Sequence, residues 1–391
     1  MTRLLTLLFG RLPIGWLQLS HNRTRLLAAS AGVAFANLLV FVQLGILGAL
    51  NGTTTAPYAL FDADIMVSSV DANTLTDGSH IARQRMFQAL GVAGIEGGTP
   101  LFIANLEWQR ADGSSATLQT FGVASDAAAF LAPEIAGLTA QLMLEDTVLI
   151  DRSTRGLPQG VLDDVSPENP YVFEANDRTL SAVGTLDVGG GFAADGTLFT
   201  SDQTFLRLFG NRSAGAPDHI LLKVQDGIDP AFVVDRLRAV LPPESVKVNT
   251  VTDAAAADLS YQTTERPTGI IFGFGVLIGI LVGVVIVYQI LSTDVADHLK
   301  EYATFKAMGY GHPFFLGIVF EEAIILAVFG FIPGLLTSIV LYAGLSAATG
   351  LPMEMGVDRA LAVLFGTLLA CAVSGAIATR RLAAADPADL F

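Results

Sequence analysis

The chain has 391 residues, 52% of them apolar, with a mean hydropathy of +0.55, which excludes a soluble protein of ordinary surface. Residues 51–266 hold 28 Asp+Glu and 13 Lys+Arg, a net of −15 (13 − 28), so the whole formal charge of −15 lies there and the remainder is neutral; so acidic a segment argues against nucleic acid as a partner. The single cysteine, Cys371, excludes a disulfide within the chain and any Cys/His metal pattern.

Arg3, Arg11, Arg23 and Arg25 precede the first apolar run, with no acid among them. Residues 1–25 mix leucines and Trp16 with arginines and predict a cytoplasmic interfacial amphipathic helix. Residues 26–50 are apolar over more than a signal-peptide core and predict an uncleaved transmembrane helix 1, its basic flank held in the cytoplasm. In it Gly32, between Ala28 and Ala36, belongs to a small-xxx-small series suited to close helix contact. Asn37 and Gln43 are polar groups in lipid, which seek partners inside the bundle; interhelical hydrogen bonding is the plain expectation, contact with a transported molecule the alternative.

Residues 51–267 read as a large extracytoplasmic α+β domain. Strand-like runs are 63–70, 100–108, 116–123, 147–151, 179–186, 197–200, 219–224 and 245–250. Helix-like runs are 80–90, 204–209 and 230–241, interleaved without a strict βαβ repeat. The Gly189-Gly190-Gly191 run has no GxxxxGK[ST] or GxGxxG context and is not a phosphate loop. Residues 253–266 read as a helix leading through Pro267 into the next apolar run.

Residues 268–291 predict transmembrane helix 2, in which Gly275, Gly279 and Gly283 recur every four residues. That stripe suits either a subunit seam or ordinary packing within one chain. Residues 292–312 form a charged cytoplasmic loop. Residues 313–342 predict transmembrane helix 3, with Gly330 and Gly334 as another small pair and with Glu321-Glu322 about two turns in, roughly 12 Å along the axis. Carboxylates at that depth must reach the interface, pair, protonate or face a polar cavity, and Lys306 is the nearest lysine in sequence. A short outer loop, 343–359, leads to transmembrane helix 4 at 360–379 and a cytoplasmic tail at 380–391. The fold class is therefore an integral membrane α-helical protein with four transmembrane helices and a large domain between the first and second, both termini being cytoplasmic.

The loop carries the most specific signal. Residues 297–308 have helix-forming composition, Gly309 suits the C′ position and Pro313 the first turn of the next helix. Leu299, Tyr302, Phe305 and Met308 form a slowly drifting stripe, expected to enter a groove of a soluble partner, with Glu301 and Lys306 beside it for charge pairing. Glu301-Tyr302-Ala303-Thr304-Phe305-Lys306-Ala307-Met308-Gly309 resembles the coupling-helix signature of the MacB/FtsX-like (type VII) ABC transporter permeases. Asp294-Val295, His298-Leu299, Gly309-Tyr310 and Ala385-Asp386-Pro387-Ala388-Asp389 are most similar to the DevC-type exporter permeases.

The resemblance implies a membrane permease subunit of an ABC exporter. Asp297, Leu299, Lys300, Glu301, Tyr302, Thr304, Phe305, Lys306, Met308 and Gly309 would couple it to a separate ATPase. It also implies a homodimer in the lipid bilayer of the bacterial inner membrane, a periplasmic membrane-fusion adaptor and, indirectly, a TolC-like outer-membrane channel. The cargo would be lipid-like or amphipathic, moved by mechanotransmission. The periplasmic domain would have core pieces at 51–96 and 197–267 around an inserted subdomain at 97–196. An FtsX-like signal relay to a cell-wall hydrolase and a lipoprotein-release permease are alternatives within the same superfamily, and a membrane-anchored sensor one outside it. There is no P-loop, HExxH or GxSxG, so the chain is expected to be no enzyme and to hold no metal, with ATP and magnesium belonging to the partner ATPase.

Overall fold

The structure, a computed structural model, describes residues 14–21, 23–110, 112–158 and 160–379. The first half of the expected interfacial helix and the tail with Arg380-Arg381 and Ala385-Asp386-Pro387-Ala388-Asp389 lie outside those residues. Helices α1 (Ile14–His21) and α2 (Arg23–Thr55) are followed by β1 (Ile65–Ser69), α3 (Gln84–Leu90), β2 (Ile95–Gln109), β3 (Ser115–Val123) and α4 (Pro133–Ala136). Then come β4 (Thr147–Asp151), β5 (Tyr171–Ala175), β6 (Arg178–Leu186), β7 (Gly196–Ser201), α5 (Asp202–Leu208), β8 (His219–Val224), α6 (Pro230–Val240), β9 (Val246–Thr250) and α7 (Val251–Thr264). The last four are α8 (Pro267–Asp297), α9 (Leu299–Ala307), α10 (His312–Thr349) and α11 (Val357–Ala378).

The described residues divide into two units: those within 14–48, 271–345 and 353–379, and those within 49–270 together with 346–352. The first is helical. Among the described residues four helices, α2, α8, α10 and α11, are long and apolar enough to cross a membrane. Their flanks are not where apolarity ends. The 31-residue α8 runs on through Ser292, Thr293 and Asp294 to Asp297, because that polar stretch contains no Gly or Pro to stop a helix.

The glycines explain how these helices meet. A Cβ at Gly275 would lie 2.5 Å from Gln43 Cδ, one at Gly279 3.3 Å from Val40, and one at Gly283 3.3 Å from Ala36. Gly32 faces Ile286 and Ile290 in return. The stripe is thus packing between α2 and α8 of one chain. Gly330 meets Val33 and Gly334 meets Ala34 and Asn37, which brings α10 equally close to α2. Buried Asn37 accepts a 2.6 Å hydrogen bond from Thr367 of α11, the interhelical pairing that a polar group in an apolar bundle requires.

The second unit is built on a mixed nine-stranded sheet of order β5-β6-β4-β7-β3-β2-β8-β1-β9. Most pairs are antiparallel; β3 with β7 and β4 with β6 are parallel. Helices α3 and α6 cover the β8-β1-β9 end, where Ile65, Val67, Ile220, Val233 and Leu237 are buried together. Asp229 caps α6 by accepting from Ala231 N, and Ser201 and Thr250 cap α5 and α7 in the same way.

Three departures from the sequence pattern have local causes. The helix expected from His80 starts only at Gln84, because Ile81 N and Arg83 N donate to the carbonyls of Pro217 and Gly215 rather than within a helix, leaving Arg83 as the N-cap. Strand β5 has no counterpart among the expected strands; it is a five-residue edge strand whose Val172 and Glu174 are exposed, so little apolar pattern marks it. One continuous sheet runs through both expected periplasmic pieces, with Gly97 inside the 15-residue β2 and Gly196 the first residue of β7. The first part of β2 pairs with β8 and the later part with β3, so this strand joins the two regions.

Candidate functional site: the loop helix and its seat

Helix α9 is held between α8 and α10 by backbone chemistry at both ends. His298 interrupts the helix for one residue, and Tyr302 N donates to its carbonyl. At the far end Gly309 takes φ +94°, and Tyr310 N donates back to Phe305 O, the left-handed stop for which a glycine at C′ suits best. Asp297 belongs to the end of α8, not to α9. Lys300 is within α9 by its backbone.

The apolar stripe does not face outward. Tyr302 is 1% exposed and makes an edge-to-face contact with Phe315 of α10 at 5.7 Å between ring centroids. Leu299 and Phe305 pack on the same core, Phe305 against Tyr310 and Phe314. Of the four stripe residues only Met308, 60% exposed, turns outward. The expectation that the whole stripe enters a partner's groove is corrected: burial in the chain's own core outcompetes it, since a Tyr and a Phe each bury a large apolar area against α10. The outward face consists of Glu301, Thr304, Lys306, Met308, Gly309 and Tyr310.

Beneath α9 lies a charged seat. Arg25, at the start of α2, bridges the end of α8 with Nη2 3.0 Å from Asp294 and Nη1 2.7 Å from Asp297. Gln18 of α1 donates to Glu301 at 3.1 Å. Glu321 and Glu322 are both buried. Glu321 Oε1 accepts from the backbone N–H of Trp16 at 3.1 Å, and Trp16 packs on Phe329. Gly15 abuts Glu322, where a Cβ would be 2.9 Å from its Cγ. Burial pushes the Tyr302 phenol up, and the carboxylates of Glu322, Asp294 and Glu301 push the same way.

Sequence reasoning named Glu321, Glu322 and the α9 residues, and the structure brings them to one place. It missed Gly15, Gln18, Arg25 and Asp294 as members of that place. Arg25 had been visible only as a topology charge. An unpaired acid at i and a basic residue some 270 positions away carry no local signal of their pairing. Gln43 and the six packing glycines lie along the helices away from this seat.

Residues 273–387 match the family model described as FtsX-like permease C-terminal. A search of curated proteins finds no match. Among solved structures, the periplasmic region of MacB from Actinobacillus actinomycetemcomitans is similar at 11% identity and TM-score 0.33, over 50% of this chain and 92% of that one. The extracellular domain of the noncanonic ABC-type transporter YknZ from Gram-positive bacteria gives 9% and 0.31, over 48% and 98%. A domain of a putative permease protein from Porphyromonas gingivalis gives 14% and 0.30, over 50% and 89%. Likenesses this distant assign neither fold nor function. The match over the later part of the chain covers most of α8 and all of α9, α10 and α11, so residues 273–387 are similar in sequence to the FtsX-like permease C-terminal family.

Proposed function

We propose that the chain is the membrane permease subunit of an ABC exporter, working as a homodimer and driven by a separate ATPase that docks on the outward face of α9. ATP and magnesium belong to that ATPase. The observation carrying this reading is the two-sided character of α9: Tyr302 and Phe305 are packed into the chain's own helices, while Glu301, Lys306 and Met308 stay outside. A close-packed core transmits displacement, so a push on the outer face of α9 moves α8 and α10 with it. Cargo of lipid-like or amphipathic character then passes to a membrane-fusion adaptor and an outer-membrane duct, as the resemblance implies.

The test separates the two faces. Glu301→Lys and Met308→Asp should leave the protein folded and dimeric but lower ATPase recruitment about tenfold, because a partner contact loses its complement. Tyr302→Ala should cost about 3–5 kcal/mol of stability, the usual cost of emptying a buried aromatic site, and should abolish stimulation of the ATPase even where recruitment survives. Co-purification and ATPase rate of the reconstituted complex measure both. Wild-type recruitment and rate in both outer-face variants would remove α9 as the docking element.

A further inference from the structure

The α+β unit contains a cavity of about 190 Å³ that no part of the proposed export mechanism uses. One wall is the loop at Gly189 and Gly191, which carries no phosphate-loop motif. It is held in place from outside the cavity: Asp151 accepts from Gly189 N at 2.8 Å, and Arg155 donates to Gly191 O at 2.6 Å. The loop comes so close to α2 that a Cβ on Gly191 would be 3.0 Å from Thr53 Cβ. The ends of two long helices close the cavity, at Leu50 in α2 and Thr268 in α8.

Three acceptors converge on it. Gln119 of β3 and Thr197 of β7 are direct partners in the parallel ladder, so their side chains stand side by side on one face of the sheet. Gln119 is 8% and Thr197 3% exposed; both line the cavity, and neither side chain has a hydrogen-bond partner among the described residues. Asp258 of α7 is the third. Its Oδ2 accepts from the Tyr58 hydroxyl at 3.0 Å and from Leu75 N at 2.9 Å; its Oδ1 is buried and makes no hydrogen bond of standard geometry, the Gln262 side chain being the donor beside the carboxyl. Leaving a buried carboxylate oxygen short of a well-formed hydrogen bond costs free energy that a ligand can recover. The charged residues lining the cavity are Asp258 and Arg266, and Arg266 is paired with Asp77 just outside it at 2.7 Å. The balance is one negative charge.

We propose that this cavity binds a primary ammonium group on a short apolar stem. An ammonium has three N–H donors, matching Gln119 Oε1, Thr197 Oγ1 and Asp258 Oδ1, and its charge cancels the excess negative one. The stem lies on Leu50, Leu75 and Phe192, apolar residues of the same walls. Oδ1 is closed to water, and Gln262, one turn further along α7, borders the same cavity; the ammonium reaches Oδ1 as the Gln262 side chain turns aside. The group can come as a free small amine or as the headgroup of an amphiphile. This inference stands without the ATPase reading, since binding is measured on the permease alone.

The experiment is saturation-transfer NMR on the full chain in nanodiscs, with butylamine and butan-1-ol as probes at pH 7. Butylamine should bind at least tenfold more tightly than butan-1-ol, which has the same stem and no charge. Gln119→Leu and Asp258→Asn should each weaken butylamine at least fivefold. Gln119→Leu should leave the melting temperature unchanged, because its amide supports nothing else in the fold. Nanodiscs containing phosphatidylethanolamine should compete with butylamine relative to phosphatidylcholine alone if an ammonium headgroup is the source; without competition a free amine is the source. Equal binding of amine and alcohol, or unchanged amine binding in both variants, overturns the proposal.

Discussion

At the scale of single residues, His219 shows how burial sets a protonation state. Its Nε2 lies 2.8 Å from the Leu75 carbonyl, a pure acceptor, so Nε2 carries the hydrogen and donates. Its Nδ1, 2.8 Å from Ser68 Oγ, then accepts from that hydroxyl. Burial holds the imidazole below its ordinary value, against the opposing pull of the Leu75 carbonyl and Asp218, with Lys247 reinforcing the burial effect. A depressed folded pKa means the unfolded chain takes the proton first as pH falls. Stability present at neutral pH is therefore lost as pH drops through the ordinary imidazole range near 6.5 and toward the lower folded value. Asp151 and Asp258 have the opposite sign, since burial raises their carboxyls, so the informative quantity is a difference. Wild type should lose more melting temperature than His219→Gln between pH 7.5 and 5.5. Parallel losses in the two proteins would place the acid sensitivity elsewhere.

At the scale of elements, the helix pairs are set by which small residue has a neighbour in front of it. A Cβ at Gly330 would lie 2.5 Å from Val33 Cβ and 3.1 Å from the Ser30 carbonyl, both on α2. Since one neighbour is backbone, relief requires α2 and α10 to separate. Gly330→Ala should cost about 1–3 kcal/mol, the usual penalty of overpacking. Gly273, on α8, has nothing within 4 Å of the same construction, so Gly273→Ala should be neutral or slightly stabilising through helix propensity. Thermal unfolding in detergent compares them. Equal destabilisation by both would mean that the Gly273 face is covered by another chain. The spacing of the glycines was legible in the sequence. Their partners were not, because a period of four residues marks a face without saying what meets it.

At the scale of the whole molecule, the acidic charge and the apolar helices are segregated along the chain, which is the pattern of a protein facing two media. Both termini and α9 are expected on the cytoplasmic side and residues 51–266 outside, from the four N-terminal arginines and the positive-inside rule. Single cysteines at Asp112 and Ala388 in a Cys371→Ser background, labelled with an impermeant reagent on spheroplasts, test this. Asp112 should react and Ala388 should not; the reverse pattern would overturn the topology.

Length and apolarity alone determined that four helices are long enough to cross a membrane, because twenty consecutive apolar residues have few other stable environments. Alternation and turn residues determined most strands of the sheet. The strand order, with β3 beside β7 and β4 beside β6, was decided only by tertiary structure, because pairing between distant strands depends on which faces can be buried together. The same holds for α9. Its helical pattern and its glycine stop are local and could be read from the residues. Which side of it faces inward was decided by Phe315 on α10, whose contact with Tyr302 buries more apolar surface than an outward stripe would.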